Sequence, residues 1–282
     1  MPQPDYLVIG HVTQDQTAQG GLAIGGTAAY AARTAQAMSC RVGVVTSAAQ
    51  GLELEAALPG VAVVCAPAPA TTTFENRYGA AGRTQRIRAL AAPLTAADIP
   101  AGWRRVSVVH LGPVAQECAP ELADCFPSAF LGLTPQGWMR RWDEAGRVRP
   151  APWASAAALL ERADAVALSE EDIGHNQRLA AEWAARTRVL AVTHGAAGCT
   201  LYAADQIWCL PALPVEEVDA TGAGDIFAAA LFVRLWRGDS PLAAARLANC
   251  LAAVSVTRAG LAATPTAEEV ARCASACREM EG

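Results

Sequence analysis

The chain has 282 residues, 52% of them hydrophobic, and a formal net charge of -5; it can bury a large core, and a disordered tail is excluded. All 22 basic residues are arginine and they form no basic run, which excludes nucleic acid as the main partner and any chemistry built on a Walker A, Schiff-base or kinase-strand lysine. Small ligands remain.

The opening "MPQPD" leads straight into an apolar run at 6–12 with no basic segment and apolar leader before it. No apolar run approaches the ~18 residues of a membrane span, so a soluble protein in a reducing cytoplasm is expected. Strand-like runs recur at 6–12, 41–47, 61–66, 106–112, 129–135, 165–169 and 189–195. Several are apolar throughout rather than alternating, as in strands covered on both faces. Helical patterns stand between them at 25–38, 152–163 and 178–188. That alternation predicts an α/β fold, doubly wound, with a mainly parallel sheet between helix layers. No repeat or low-complexity linker divides the chain, and 1–282 is expected to form a single domain.

One segment breaks the rhythm. "TTTFENRYGAAGRTQRIRAL", 71–90, reads as two polar strands joined by a Gly-Ala-Ala-Gly turn, with Phe74, Asn76 and Tyr78 on one face. Together with the segment around 12–24 it is a candidate β lid over a site; an ordinary surface hairpin fits the pattern as well. An unpaired lid edge could also pair two copies of the chain, so both a monomer and a lid-mediated homodimer stay open.

Further on, the strand at 189–195 is followed by a hairpin around "AADQ", and a helix is expected from about Gly222 to Arg237. Gly238 ends it, Ser240 caps the next helix, and Pro241 suits that helix's first turn. The nine cysteines show no paired metal-ligand spacing and read mostly as small buried hydrophobes. Cys273 and Cys277 lie one helical turn apart and could meet, although stacking on a neighbouring helix accounts for the same spacing.

The densest chemistry is in "VDATGAGD", 218–225. Amides at a helix N-terminus point outward with the positive end of the helix dipole, and glycines let an anion approach them. Asp225, in the same first turn, is expected to stay ionised with an ordinary carboxylate pKa. Phosphoryl transfer needs this pairing: amides neutralise the moving phosphoryl group while a carboxylate accepts the proton of the attacking hydroxyl. A structural helix start with a favourable first-turn Asp fits the local pattern too.

"DATGAGDIFAAALF" resembles the C-terminal signature of the ribokinase-like, or PfkB, carbohydrate kinases. Further matches follow in family order: "VIGHVTQD", "IGGTAAYAA", "VTHGAAG" and "ANCLAAVSVTRAG". The resemblance implies a ribokinase-like fold and a cytoplasmic enzyme that uses ATP and Mg2+ to phosphorylate a hydroxyl of a sugar, polyol or nucleoside under a β lid. It implies that Asp225 is the catalytic base and that the amides of Thr221, Gly222, Ala223 and Gly224 form the anion hole. It places Asp15, Gly25 and Gly26 at the substrate, and Thr193, Gly195, Gly198 and Asn249, with Gly260, on the nucleotide side. Without it, Asp15 reads as a turn residue, Gly25-Gly26 as a tight connection, Asn249 as a helical polar group and Gly260 as a helix C-cap.

The sequence departs from the family pattern in three places. The metal-linked N-x-x-E becomes Ser169-Glu170-Glu171-Asp172, leaving Asp172 as the candidate metal carboxylate. An expected asparagine is replaced by Tyr30, and the usual G-x-D-x-x-G after the second strand is absent from "TSAAQGLEL". The altered substrate end, with Tyr30 and Asn76 as candidate substrate contacts, is similar to the plant-type myo-inositol kinases of the family. A nucleoside kinase and a non-catalytic sugar or nucleotide sensor remain as alternatives. A dinucleotide oxidoreductase lacks its G-x-G-x-x-G after the first strand.

Overall fold

The computed structural model describes residues 3–16, 20–79 and 82–279. A nine-stranded sheet forms its centre. In chain order its strands are β1 (Tyr6–Ile9), β4 (Val42–Ala48), β5 (Ala62–Pro67), β8 (Val108–Leu111), β9 (Phe130–Leu133), β12 (Ala165–Ser169), β13 (Val189–Thr193), β14 (Cys199–Ala203) and β15 (Gln206–Leu210). The spatial order is β15-β14-β13-β12-β9-β8-β1-β4-β5. All pairings from β5 to β13 are parallel, and β14 and β15 add an antiparallel end joined by the tight Ala204-Asp205 turn, both residues at positive φ. The chain winds outward from β1 in one direction to β5 and then in the other through β8, so strand order reverses between β1 and β8. Ligands of such sheets sit beyond the carboxyl ends at this switch point.

The apolar runs become strands with little side preference because both faces are covered. Tyr6 to Ile9 are all fully buried. One face carries α1 (Thr27–Ala37), α5 (Ala223–Trp236) and α6 (Pro241–Ser255), with α7 (Ala267–Glu279) outside them; α2 (Leu54–Ala57) is a single turn at the edge. Helix α5 is buried continuously from Ile226 to Val233, as expected of a helix that is apolar on every side. The opposite face packs α3 (Ala156–Arg162), α4 (Gln177–Ala184) and several 3-10 turns. There Trp138 stacks on Trp153 at 5.6 Å, and Trp183 meets Trp153 edge-on at 5.4 Å.

The expected run at 6–12 divides. After Ile9 the chain leaves the main sheet and enters β2 (Thr13–Gln16), which starts a separate small sheet. With β3 (Leu22–Gly25), β6 (Thr73–Gly79) and β7 (Gly82–Ala89), it is ordered β3-β2-β6-β7, antiparallel except for the β2–β6 pair. The tip at 80–81 of the expected lid turn and the Tyr78 side chain lie outside the described residues. A third sheet, β10 (Arg140–Trp142) with β11 (Val148–Pro150), lies against β7: Ile87 N–H donates to Gly146 C=O at 2.8 Å.

The Ser240 cap forms as expected, accepting the Ala243 amide at 3.2 Å. The cysteines differ from expectation. Cys273 pairs with Cys250 in a disulfide joining α7 to α6, and Cys277, one turn further on, is a buried thiol. The packing of α7 on α6 brings Cys250, not the neighbour in sequence, opposite Cys273. Among the described residues no helix is long and apolar enough to cross a membrane.

Candidate active site

Asp225 lies in the first turn of α5, at the switch-point end of the sheet. Gly222 caps that helix in the left-handed region, at φ 82, where a β-carbon would be strained. A β-carbon there would also come within 2.4–2.6 Å of the Tyr30 ring. Tyr30, expected at the substrate, is 2% exposed and packs beneath this turn. The turn is pinned from below. Thr221 N–H donates to Asp219 Oδ1 at 2.9 Å, Gly260 N–H donates to Asp219 Oδ2 at 3.3 Å, and Val218 and Asp219 N–H share the Val256 carbonyl just past α6. Of the four amides expected to form an anion hole, those of Thr221 and Ala223 are therefore engaged within the turn, the latter with Ala220 C=O at 3.2 Å. Among the described residues, the amides of Gly222 and Gly224 have no backbone carbonyl partner, and Gly224 is exposed.

The carboxylate of Asp225 accepts a 2.7 Å hydrogen bond from Thr27 Oγ1, in the first turn of α1. Close packing pushes its pKa up to about 6. The Thr27 bond and the Arg140 charge act in the opposite direction, and Asp172 and Asp15 reinforce the rise. This corrects the expectation of an ordinary, dipole-held carboxylate: the cost of burial exceeds what the helix end supplies.

On the small-sheet side, Asp15 and Asn76 meet, with Asn76 Nδ2 donating to Asp15 Oδ1 at 3.4 Å. Asp15 Oδ2 lies 2.4 Å from where a Gly25 β-carbon would stand, so the missing side chain makes room for the carboxylate. Gly26 caps α1. Asp15, Gly25, Asn76 and the Thr27–Asp225 pair thus come from five elements, β2, β3, β6, α1 and α5. Glu75, on the same strand, is buried against Arg88 in an ion pair.

On the other side, Asp172 Oδ2 accepts the Ser169 amide at 3.0 Å and Oδ1 accepts Gln136 Nε2 at 3.2 Å. Burial raises the pKa of Asp172. Thr193 Oγ1 donates to Leu168 C=O at 3.4 Å, Gly195 and Gly198 bound the 3-10 turn after β13, and Asn249 Nδ2 is spent on Pro211 C=O at 2.7 Å. Gln136 and Arg140 belong to "TPQGWMRRWD", which carried no signal in the sequence except the end of a strand.

Among the described residues no group of three or more His, Cys, Asp or Glu is arranged to hold a metal ion. Mg2+ does not need such a cage, since it keeps water and takes one or two carboxylates together with the phosphates of its ligand. Asp172, whose charge acts on Asp225 and whose carboxylate is held by the Ser169 amide and Gln136, is a single carboxylate of the kind that mode of binding uses.

With this geometry in view, residues 154–268 match the model of the pfkB family carbohydrate kinase. The match covers the C-terminal part of the chain, including the 218–225 turn, and is to a family of carbohydrate kinases. Among curated relatives it is 35% identical over 96 residues to fructokinase-1 of Zea mays, covering 31% of this chain and 30% of that protein. It is 43% identical over 82 residues to the ribokinase of Bacillus subtilis, covering 29% and 28%. The chain thus spans about a third of the length of the curated relatives it matches. Solved structures extend the likeness of fold over nearly all of it. A pyrophosphate-dependent kinase of the ribokinase family, complexed with a pyrophosphate analog and myo-inositol, superposes with TM-score 0.80 at 21% identity, covering 95% of this chain and 99% of that one. Arabidopsis thaliana ribokinase, complexed with ribose and ATP, does so with TM-score 0.75 at 18% identity over 97% and 99%. The chain therefore has the ribokinase fold, with the expected mainly parallel sheet and a separate small sheet.

Proposed function

We propose that this chain is a small-molecule kinase that transfers a phosphoryl group to a hydroxyl of a sugar or cyclic polyol. The single observation that carries the reading is the pairing of the open Gly222 and Gly224 amides with Asp225, which is held by Thr27 and whose pKa burial pushes up to about 6. In the reaction the acceptor oxygen attacks the terminal phosphorus, the new O–P bond forms as the bond to the donor's bridging oxygen breaks, and the hydroxyl proton passes to Asp225. The Gly222 and Gly224 amides take up negative charge on the moving group. Asp15 and Asn76, which meet in a hydrogen bond, would accept from and donate to vicinal hydroxyls of the acceptor. Asp172 would hold Mg2+, which supplies charge neutralisation for the donor phosphates.

ATP is the proposed donor. The segment leading into the anion turn presents exposed Leu213, Val215 and Val218, an apolar surface that a nucleobase can cover and a bare pyrophosphate has no use for. Pyrophosphate is the second reading for the donor, and myo-inositol the finer candidate for the acceptor. Both draw support from the similar fold of the pyrophosphate-dependent kinase bound to myo-inositol. The deciding experiment is a product assay over pentoses, hexoses, inositols and nucleosides, each with Mg2+ and either ATP or pyrophosphate. Turnover of an inositol or sugar with ATP is expected. Ligand-induced stabilisation without turnover on any acceptor would make the chain a sensor, and turnover restricted to nucleosides would move it to the alternative substrate class.

A further inference from the structure

A chain without lysine must place any side-chain cation at the phosphoryl site with arginine. Arg41, Arg147, Arg178, Arg186 and Arg188 lie in peripheral ion pairs, each more than half exposed. Arg140 is placed differently. It follows the 3-10 turn Pro135–Met139 at the carboxyl end of β9, and that turn is fixed at three points: Gly137 N–H donates to Pro113 C=O at 2.9 Å, Trp138 Nε1 donates to Cys118 C=O at 2.7 Å, and Gln136 Nε2 reaches Asp172. The Arg140 guanidinium donates to Val114 C=O at 3.3 Å and lies over the ring of Phe74, 5.8 Å from its centre.

Phe74 belongs to β6 of the small sheet, whereas Val114 and Asp172 belong to loops of the central sheet. The guanidinium therefore stands where the two sheets meet. The backbone behind it is also tied to the small sheet, through the Ile87–Gly146 bond between β7 and the β10–β11 hairpin. Its charge is felt at both site carboxylates, Asp225 and Asp172. The Pro135–Met139 turn reaches Asp172 through Gln136, so a fixed cation stands next to the candidate metal carboxylate's own support, on the side of the site where donor phosphates would be neutralised.

We propose that Arg140 is a catalytic residue whose guanidinium contacts the transferred phosphoryl group, oriented by Val114 C=O and by the Phe74 ring of the small sheet. The assignment rests on the kinase reading above. Guanidinium suits the role because its planar fork can bind two phosphoryl oxygens at once, which an ammonium cannot. A side chain that stabilises the charge of the transition state is worth about 10^2- to 10^3-fold in kcat.

The test compares wild type, Arg140→Ala and Arg140→Lys in phosphoryl transfer, with and without guanidinium chloride at non-denaturing concentration. Expected are a loss of about 100-fold or more in kcat for Arg140→Ala, little recovery in Arg140→Lys, and partial rescue of Arg140→Ala, not of wild type, by the guanidinium ion. Activity of Arg140→Ala within about threefold of wild type would overturn the assignment, as would a loss that guanidinium cannot rescue in a variant that melts like wild type. Should Arg140→Ala fail to fold, Arg140→Gln, which keeps a donor but not the charge, is read by the same criteria. Binding of inorganic pyrophosphate by calorimetry separates this assignment from the kinase reading. If wild type phosphorylates no acceptor, the kinase reading fails, while about tenfold weaker, less salt-dependent pyrophosphate binding by the variant still supports Arg140 as the phosphate contact and unchanged binding refutes it.

Discussion

The Thr27 hydroxyl donates to Asp225 Oδ1 at 2.7 Å, joining the first turns of α1 and α5 across 198 positions of chain. The bond stabilises the ionised carboxylate against the burial that pushes its pKa up to about 6. A base must be ionised to act, so kcat/KM is expected to rise with pH through about 6 and then level off. Thr27→Val removes the donor and keeps the shape. Losing a hydrogen bond to a charged group should move the acid limb of the profile upward by about one pH unit, and Thr27→Ser should restore it. The pH dependence of kcat/KM for the three proteins checks this; superimposable profiles would mean that Asp225 is not the group being titrated.

Replacing the proposed base separates chemistry from binding. Asp225→Asn should reduce turnover by about 10^2- to 10^4-fold while donor and acceptor still bind. It should also alter stability in a pH-dependent way. The folded pKa of about 6 lies above the ordinary 3.8, so stability is greatest where the acid is neutral and falls as the pH rises from about 4 through 6. Above that range the charge, facing Asp15 and Asp172 and partly offset by Arg140 and Thr27, costs about 1–2 kcal/mol once its partial exposure is allowed for. Thermal melts should therefore show the variant more stable than wild type at pH 8 and equal to it near pH 4. A gap that does not vary with pH would place the effect elsewhere.

Short-range signals in the sequence were enough for the frame and for the glycine turn that opens α5. Apolar runs without alternation pointed to a sheet covered on both sides, Ser240 and Pro241 marked a helix start, and the bare glycines at 222–224 marked an exposed helix N-terminus. What escaped depends on contacts between distant segments. Thr27 sits in "IGGTAAYAA" as one more small residue, and its partner is known only once α1 and α5 pack side by side. Tyr30 was expected to contact substrate because it stands where the resembled family has an asparagine, yet a helix turns successive side chains to different faces, and this ring packs under Gly222. Arg140 lies in a stretch with no family signal. The pKa of Asp225 was misjudged because the helix end is visible in a sequence and the surrounding packing is not.

Gly222 and Gly224 offer a contrast within a single turn. A β-carbon at Gly222 meets the Tyr30 ring and an unfavourable φ, whereas at Gly224 nothing lies within 4 Å. Gly222→Ala should cost about 1–3 kcal/mol of stability. Gly224→Ala should leave the melting temperature nearly unchanged and still reduce turnover by about tenfold or more, because the methyl group covers the amide that the phosphoryl oxygen approaches. Melting and turnover measured on both variants check the anion cradle. Full activity in Gly224→Ala would remove the case for it.

The Cys250–Cys273 disulfide should matter beyond α7. It closes a loop of 23 positions, and a cross-link of that span stabilises by about 3 kcal/mol in the chain-entropy account. Cys273→Ser should therefore lower the melting temperature by about 5–10 °C, and reductant should bring wild type to the same value. Cys277→Ala, at a buried thiol outside the bridge, should produce a smaller change that reductant does not mimic. The consequence for catalysis follows from position. Helix α6 ends at Ser255, and the next carbonyl, Val256, holds the Val218 and Asp219 amides beneath the anion turn. Loosening α7 from α6 frees the segment that carries this carbonyl and Gly260, so turnover should fall with reduction at temperatures well below the melting transition. If activity is instead unaffected while stability drops, α7 serves only to brace the fold and the anion turn is held by α6 alone.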